Sequence, residues 1–155
     1  MQIDLEDSFH EIALEDESAA IILCDRGVMD VQACITHHKV WQAILDETGW
    51  NPLQLRDCRY EAVIHMVTAA DGALEFYNLD SSHHSLYRVN TPEEAIAMDK
   101  KLVNAWVGHP HFSIIDNNSN PTFQKKIERC VDTVLKLIGL PTPTSFYKKF
   151  LLQNK

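Results

Sequence analysis

The stretch Ala19-Ala20-Ile21-Ile22-Leu23-Cys24-Asp25-Arg26-Gly27-Val28-Met29-Asp30 decides how the chain is read. It is apolar up to Cys24, and then a carboxylate, an arginine and a glycine follow. A continuous apolar run bounded by polar residues reads as a strand buried on both faces. Such strands belong to parallel sheets, which place ligand chemistry at the carboxyl ends of their strands. Asp25 and Arg26 stand at that end, and Gly27 lets the backbone turn tightly. An aspartate there can hold Mg²⁺, directly or through water, while an arginine clamps phosphate oxygens. The plain alternative is a strand that ends in a charged loop.

Upstream, Met1 to Glu17 carries Ile3, Phe9, Ile12 and Ala13 at roughly helical spacing and reads as an amphipathic helix. Downstream, Met29 to Ile35 looks helical. Thr36 is placed to cap a helix running to Thr48, with Val40, Trp41, Ile44 and Leu45 inward and Gly49 as its stop. Asn51-Pro52 starts a short helix that ends near Cys58, between Arg56 and Arg59.

Ala62 to Val67 is a second apolar strand, and His65 inside it reads as a hydrogen-bonded core residue. Thr68 to Asn90 is polar and reads as a long loop, with a short helix at Ala73 to Tyr77; loops of this length in compact domains are usually functional or mobile. Thr91-Pro92-Glu93-Glu94 is a helix start with a capping box, and that helix runs to about Trp106. His111 to Ile115 is a third strand, ending at Asp116-Asn117-Asn118. Phe123 to Ile138 is an amphipathic helix with Ile127, Val131, Val134, Leu135 and Ile138 inward. Pro141 to Thr144 has the composition of a rigid linker.

Strands alternating with helices imply parallel crossovers and a three-layer α/β sheet. Two strand ends, Asp25-Arg26 and Asp116-Asn117-Asn118, are then expected on one rim, which points to a nucleotide or phosphate site. The length of 155 residues suits one domain with a real core, and 45% hydrophobic residues is ordinary globular composition. A formal net charge of −8 argues against a nucleic-acid binder, which needs a basic face. Cys24, Cys34, Cys58 and Cys130 form no C-x-x-C pair and read as reduced thiols. No apolar run reaches the length of about 20 residues needed to cross a bilayer.

Other constellations carry less. Asp116-x-Asn118-x-Asn120 has Pro121 where a calcium loop needs glycine and Ile127 where it needs glutamate. His37-His38, His83-His84 and His109-x-His111 lack zinc-binding spacing. No G-x-S-x-G occurs, and no glycine-rich P-loop of the form G-x-x-x-x-G-K-[ST]. Arg88 lies in the long loop, where it could close over phosphates.

Four segments together resemble a known family: Cys24 to Asp30, Arg56-Asp57-x-Arg59-Tyr60, Trp106-Val107-Gly108-His109-Pro110 and Ile115-Asp116-Asn117. They are similar to the P-loop NTPase (AAA-type) domain of the TRPL translocation defect protein family, itself similar to bacterial nicotinamide riboside kinase domains and more distantly to thymidylate kinases. The resemblance runs from Ala19 to about Leu140. It implies a partial P-loop NTPase fold lacking its first strands, binding GTP or ATP with Mg²⁺. Asp25 would hold the metal, Arg26 would meet an acceptor phosphate, and Arg88 would be a lid arginine; these three are the catalytic candidates. Asp116, Asn117 and Asn118 would lie near the purine.

The resemblance also implies a following CYTH-like domain, phosphoinositide binding, a part in membrane-protein traffic, and a cytoplasmic place with peripheral membrane contact. Residues 1–140 then form the partial NTPase domain, and residues 141–155 form the linker and the start of the CYTH-like domain. The chain departs from the family pattern at both ends. The Walker A strand and loop would precede Met1, so the chain reads as a truncated product whose NTPase or small-molecule kinase chemistry is impaired. In the family fold the absent strand lies between the first and second strands read here. A reading from a different class is a non-catalytic interaction module that binds a partner protein through its helices and acidic surface.

Overall fold

The computed structural model describes residues 1–15, 19–35, 37–77, 90–118 and 122–141. Its helices are α1 (Gln2–Glu15), α2 (Val28–Cys34), α3 (His38–Thr48), α4 (Pro52–Asp57), α5 (Pro92–Trp106) and α6 (Phe123–Leu137). Its strands are β1 (Val63–Met66) and β2 (Phe112–Ile115), which pair in parallel with Val63 opposite Phe112 and Met66 opposite Ile115. Among the described residues, no helix is long and apolar enough to cross a membrane.

Local chemistry explains most boundaries. Thr91 accepts from the Glu94 amide while Glu94 reaches back to the Thr91 amide, the reciprocal cap that starts α5. Asn51 Oδ1 accepts the Leu53 amide at 2.9 Å, and Pro52 supplies a first-turn residue with no N–H to leave unpaired. Gly49, at φ 69°, closes α3 in the left-handed region that glycine enters without steric cost. His37 stands at the start of α3 and gives no side-chain cap; Thr36, expected there, lies outside the described residues.

The core is a cluster of helices and not a layer beneath a wide sheet. Val28 and Met29 of α2, Trp41 and Leu45 of α3, Leu55 of α4 and Trp106 of α5 are buried together. Tyr60, Val63 and Phe112 close the cluster from the side of the strands. It therefore sits at the amino ends of β1 and β2.

One expectation is corrected by the structure. Residues 19–24 form no strand: they are unpaired among the described residues and exposed, with Ile21 at 58% and Leu23 at 82%. A strand buried on both faces needs a hydrogen-bonded neighbour and a layer on each side, and no described element supplies either. Helix α1 forms where an amphipathic helix is expected; none of its residues is buried, and Leu5, Phe9, Ile12 and Leu14 are exposed. It is held mainly through its polar side, with Ile3 packed on the core. Glu6 and Asp7 pair with Arg59, and Gln2 donates to the Arg26 carbonyl.

The 3-10 turn Leu74–Phe76 falls where a short helix is expected. Arg88 and residues 142–155, which include the expected first CYTH-like strand, lie outside the described residues.

Candidate functional site

Chemistry-bearing residues gather at both ends of the β1–β2 pair. At the amino ends, three of the motif segments meet. The Val28 amide donates to the Tyr60 hydroxyl at 2.9 Å, and that hydroxyl donates to Glu6. Burial pushes Tyr60 up to about 12, so it remains a neutral donor. Trp106 Nε1 donates to Asp30 Oδ1 at 2.6 Å, and the Trp106 ring meets Tyr60 edge-on, with centroids 5.4 Å apart. Gly27 is needed for close approach, because a Cβ there would lie 2.5 Å from the Trp106 ring. His109 Nε2 contacts the Tyr60 carbonyl at 2.9 Å, and Arg56 donates to the Val107 carbonyl at 3.1 Å.

Asp25 and Arg26 lie exposed beside this packing. Arg26 holds φ at 83°, the one positive φ outside glycine among the described residues, and its Nη1 is 3.9 Å from Asp30 Oδ2. No hydrogen bond or ion pair of the Asp25 carboxylate occurs among the described residues. The same holds for any group of three or more side chains fit to hold a metal.

The carboxyl ends carry a second network. Lys126 of α6 is 6% exposed, and its Nζ donates to the Val67 carbonyl after β1 and to Asn117 Oδ1 after β2 at 2.8 Å. Asn117 Nδ2 donates to the carbonyls of Thr68 and Asp71. The Thr68 amide donates to Asp99 Oδ1 at 3.0 Å, and Asp99 Oδ2 faces His65 Nε2 at 3.1 Å. That last contact lacks hydrogen-bond alignment, since Nε2 is buried with no bond of its own. Asp116 lies 3.6 Å from Arg129. The two loops approach so closely that a Cβ on Gly72 would lie 2.7 Å from Asn118 Oδ1.

The candidates are thus divided and do not share one rim. Gly27 and Asp30 pack on Tyr60 and Trp106, which precede the strands, whereas Asp116 to Asn118 follow β2. A four-residue strand separates the two ends by about 13 Å. The one-rim expectation required residues 19–24 to lie in the sheet parallel to β1, and they do not pair with it. Asn117 uses both amide hydrogens and its oxygen within the protein, so it shapes the rim, where Asp116 is half-buried and Asn118 exposed.

Reading the residues one at a time missed Asp99 and Lys126. Asp99 sits at an ordinary position in α5, and only the approach of α6 to the strand ends turns Lys126 inward. The apolar periodicity of α6 did not mark it: Lys126 stands about 100° around the helix from Ile127, and Val131 and Ile138, expected inward, are 47% and 44% exposed.

Burial raises the pKa of Asp99, but the His65 ring, the Thr68 amide and the charge of Lys126 outweigh it and hold the carboxyl below the usual aspartate value. The folded state therefore binds that proton less well than the unfolded chain. Its stabilisation is present above the unfolded value of about 3.9 and is lost as pH falls through the lower folded one. Asp99→Asn is expected to show a shallower loss of stability below about pH 4, measured by thermal melts across acid pH. Parallel acid limbs for parent and variant would exclude the network as drawn.

Compared with known proteins, the chain matches no family model, no curated protein and no solved structure, so its family is not shown by similarity.

Proposed function

We propose that this chain is a nucleotide-binding domain of P-loop type, taking GTP or ATP at the carboxyl ends of β1 and β2. The observation that carries the reading is Lys126: a buried cation that ties the end of β1 to the loop after β2. Parallel strands gather ligands at that rim. The lysine brings a positive charge to the loop that carries Asp116 and Asn118. No glycine-rich phosphate loop occurs in the sequence, so nucleotide affinity is expected to be weak.

Mg²⁺ suits the reading because it usually keeps several waters and takes one or two carboxylates plus phosphate oxygens. Asp116 is the carboxylate at this rim; Asp25 is an isolated carboxylate at the other end. Bound there, the ion would neutralise phosphate charge. Asn118 would meet the base edge, its amide offering both a donor and an acceptor. Arg88 would be the lid arginine over the phosphates.

The test is a titration with fluorescent GTP and ATP analogues, with and without Mg²⁺. Asp116→Asn and Asn118→Ala are expected to weaken binding about tenfold or more, the loss of a charge-assisted or buried hydrogen bond. Arg88→Ala should weaken triphosphate binding more than monophosphate binding. Asp25→Asn and Arg26→Lys should leave affinity unchanged. Loss of binding in those two alone would move the site to the amino ends, and no saturable binding in the parent would end the nucleotide reading.

A further inference from the structure

We propose that the outward face of α1 is a docking surface for a partner protein that presents an amphipathic helix flanked by lysine or arginine. Leu5, Phe9 and Ile12 recur at i, i+4 and i+7, so they form one stripe along the helix. They are 58%, 52% and 62% exposed. Unlike a scatter of single apolar residues, such a stripe is a contiguous surface.

The helix is already fixed by its other side. Glu6 and Asp7 hold Arg59, the Tyr60 hydroxyl donates to Glu6, and Ile3 packs on the core. The stripe is thus presented by a helix that need not move to bind. Preorganisation of that kind lowers the entropic cost of association.

Charge decides what fits. Asp4, Glu11 and Glu15 run along one border of the stripe and are exposed, with Asp4 already paired to the amino terminus. An apolar helical stripe with an acidic border pairs with a helix whose apolar stripe carries basic residues beside it. A second copy fits poorly, because antiparallel stripes would set acid border against acid border, on chains that each carry −8. An anionic membrane would repel the same border.

The experiment uses the full chain and two synthetic peptides of about 14 residues, long enough to lie along the ~21 Å of α1. Both carry the same leucine stripe. One has lysines at the flanks, the other glutamates. Fluorescence anisotropy should show the lysine peptide binding at least about tenfold more tightly.

Leu5→Gln with Phe9→Gln and Ile12→Gln should remove that binding while circular dichroism stays unchanged. Glu11→Lys with Glu15→Lys leaves the stripe intact and should shift preference toward the glutamate peptide. That shift separates docking on α1 from general attraction to an acidic protein. Equal binding of both peptides by the parent would overturn the proposal, as would variants that bind like the parent. Two further results would overturn it: stripe-dependent flotation on anionic vesicles, which assigns the face to a membrane, and a parent dimer that the glutamine variant makes monomeric, which assigns it to a second copy.

Discussion

Trp106→Ala is expected to cost about 3–5 kcal/mol of unfolding free energy, the range for removing a buried aromatic from a packed core. Trp106 is 3% exposed and stands where α2, Tyr60 and the end of α5 meet. Its removal leaves a cavity beneath Gly27, whose missing Cβ exists to admit the indole ring. It also strands Asp30, which accepts from Trp106 Nε1 and from the Gly27 amide.

Trp106→Phe separates the two contributions. It keeps most of the ring and loses the hydrogen bond to a carboxylate, a loss of about 1.5–3 kcal/mol. Combining it with Asp30→Asn should recover part of that loss, because the carboxylate left without its indole donor is then gone. Chemical denaturation of the four proteins is the measurement. A Trp106→Ala loss below about 1 kcal/mol is too small for a filled core position and would mean that the motif segments do not pack as described.

Lys126→Met is expected to lower stability by about 1–3 kcal/mol, the cost of leaving buried partners unsatisfied. Methionine follows the path of the lysine stem, so packing is largely retained and the polar loss is isolated. The Val67 carbonyl and Asn117 Oδ1 lose their donor, and the two strand-end loops lose the group that joins them. The loss is moderated because the ammonium is itself costly to bury. Burial lowers its pKa, against the pull of Asp99 and Asp116.

The sign follows from linkage. The unfolded chain holds the Lys126 proton more tightly, so this group makes the parent gain stability as pH rises from the lowered folded value toward the ordinary lysine value of about 10.4. Lys126→Met should lack that rise. Urea midpoints measured at neutral and alkaline pH check both parts. A variant as stable as the parent at neutral pH would show that Lys126 is not the tie between the strand ends.

The sequence by itself determined the elements whose signals are local. Thr91-Pro92-Glu93-Glu94 started α5, Asn51-Pro52 started α4 and Gly49 ended α3, because a cap is made by residues within one turn of each other. The short strands at Val63–Met66 and Phe112–Ile115 also lay inside the apolar runs that marked them. Candidate residues were legible in the same limited way. Asp116 to Asn118 could be named from a polar strand end, but their tie to Lys126 and Asp99 could not.

Only the tertiary structure decided the rest. Hydrophobicity marks 19–24 and α1 as suited to burial, yet burial needs a neighbour, and the described residues supply none over Ile21, Leu23, Leu5, Phe9 or Ile12. Helical periodicity shows that α6 has two faces but not that a lysine lies within the inner one. That is set by the distance from α6 to two unsatisfied strand-end acceptors. The end of the sheet to which the Asp25-Arg26-Gly27 turn belongs was fixed by Tyr60 and Trp106, residues far away in the chain. Their contacts are non-local, and a pattern read along one segment does not contain them.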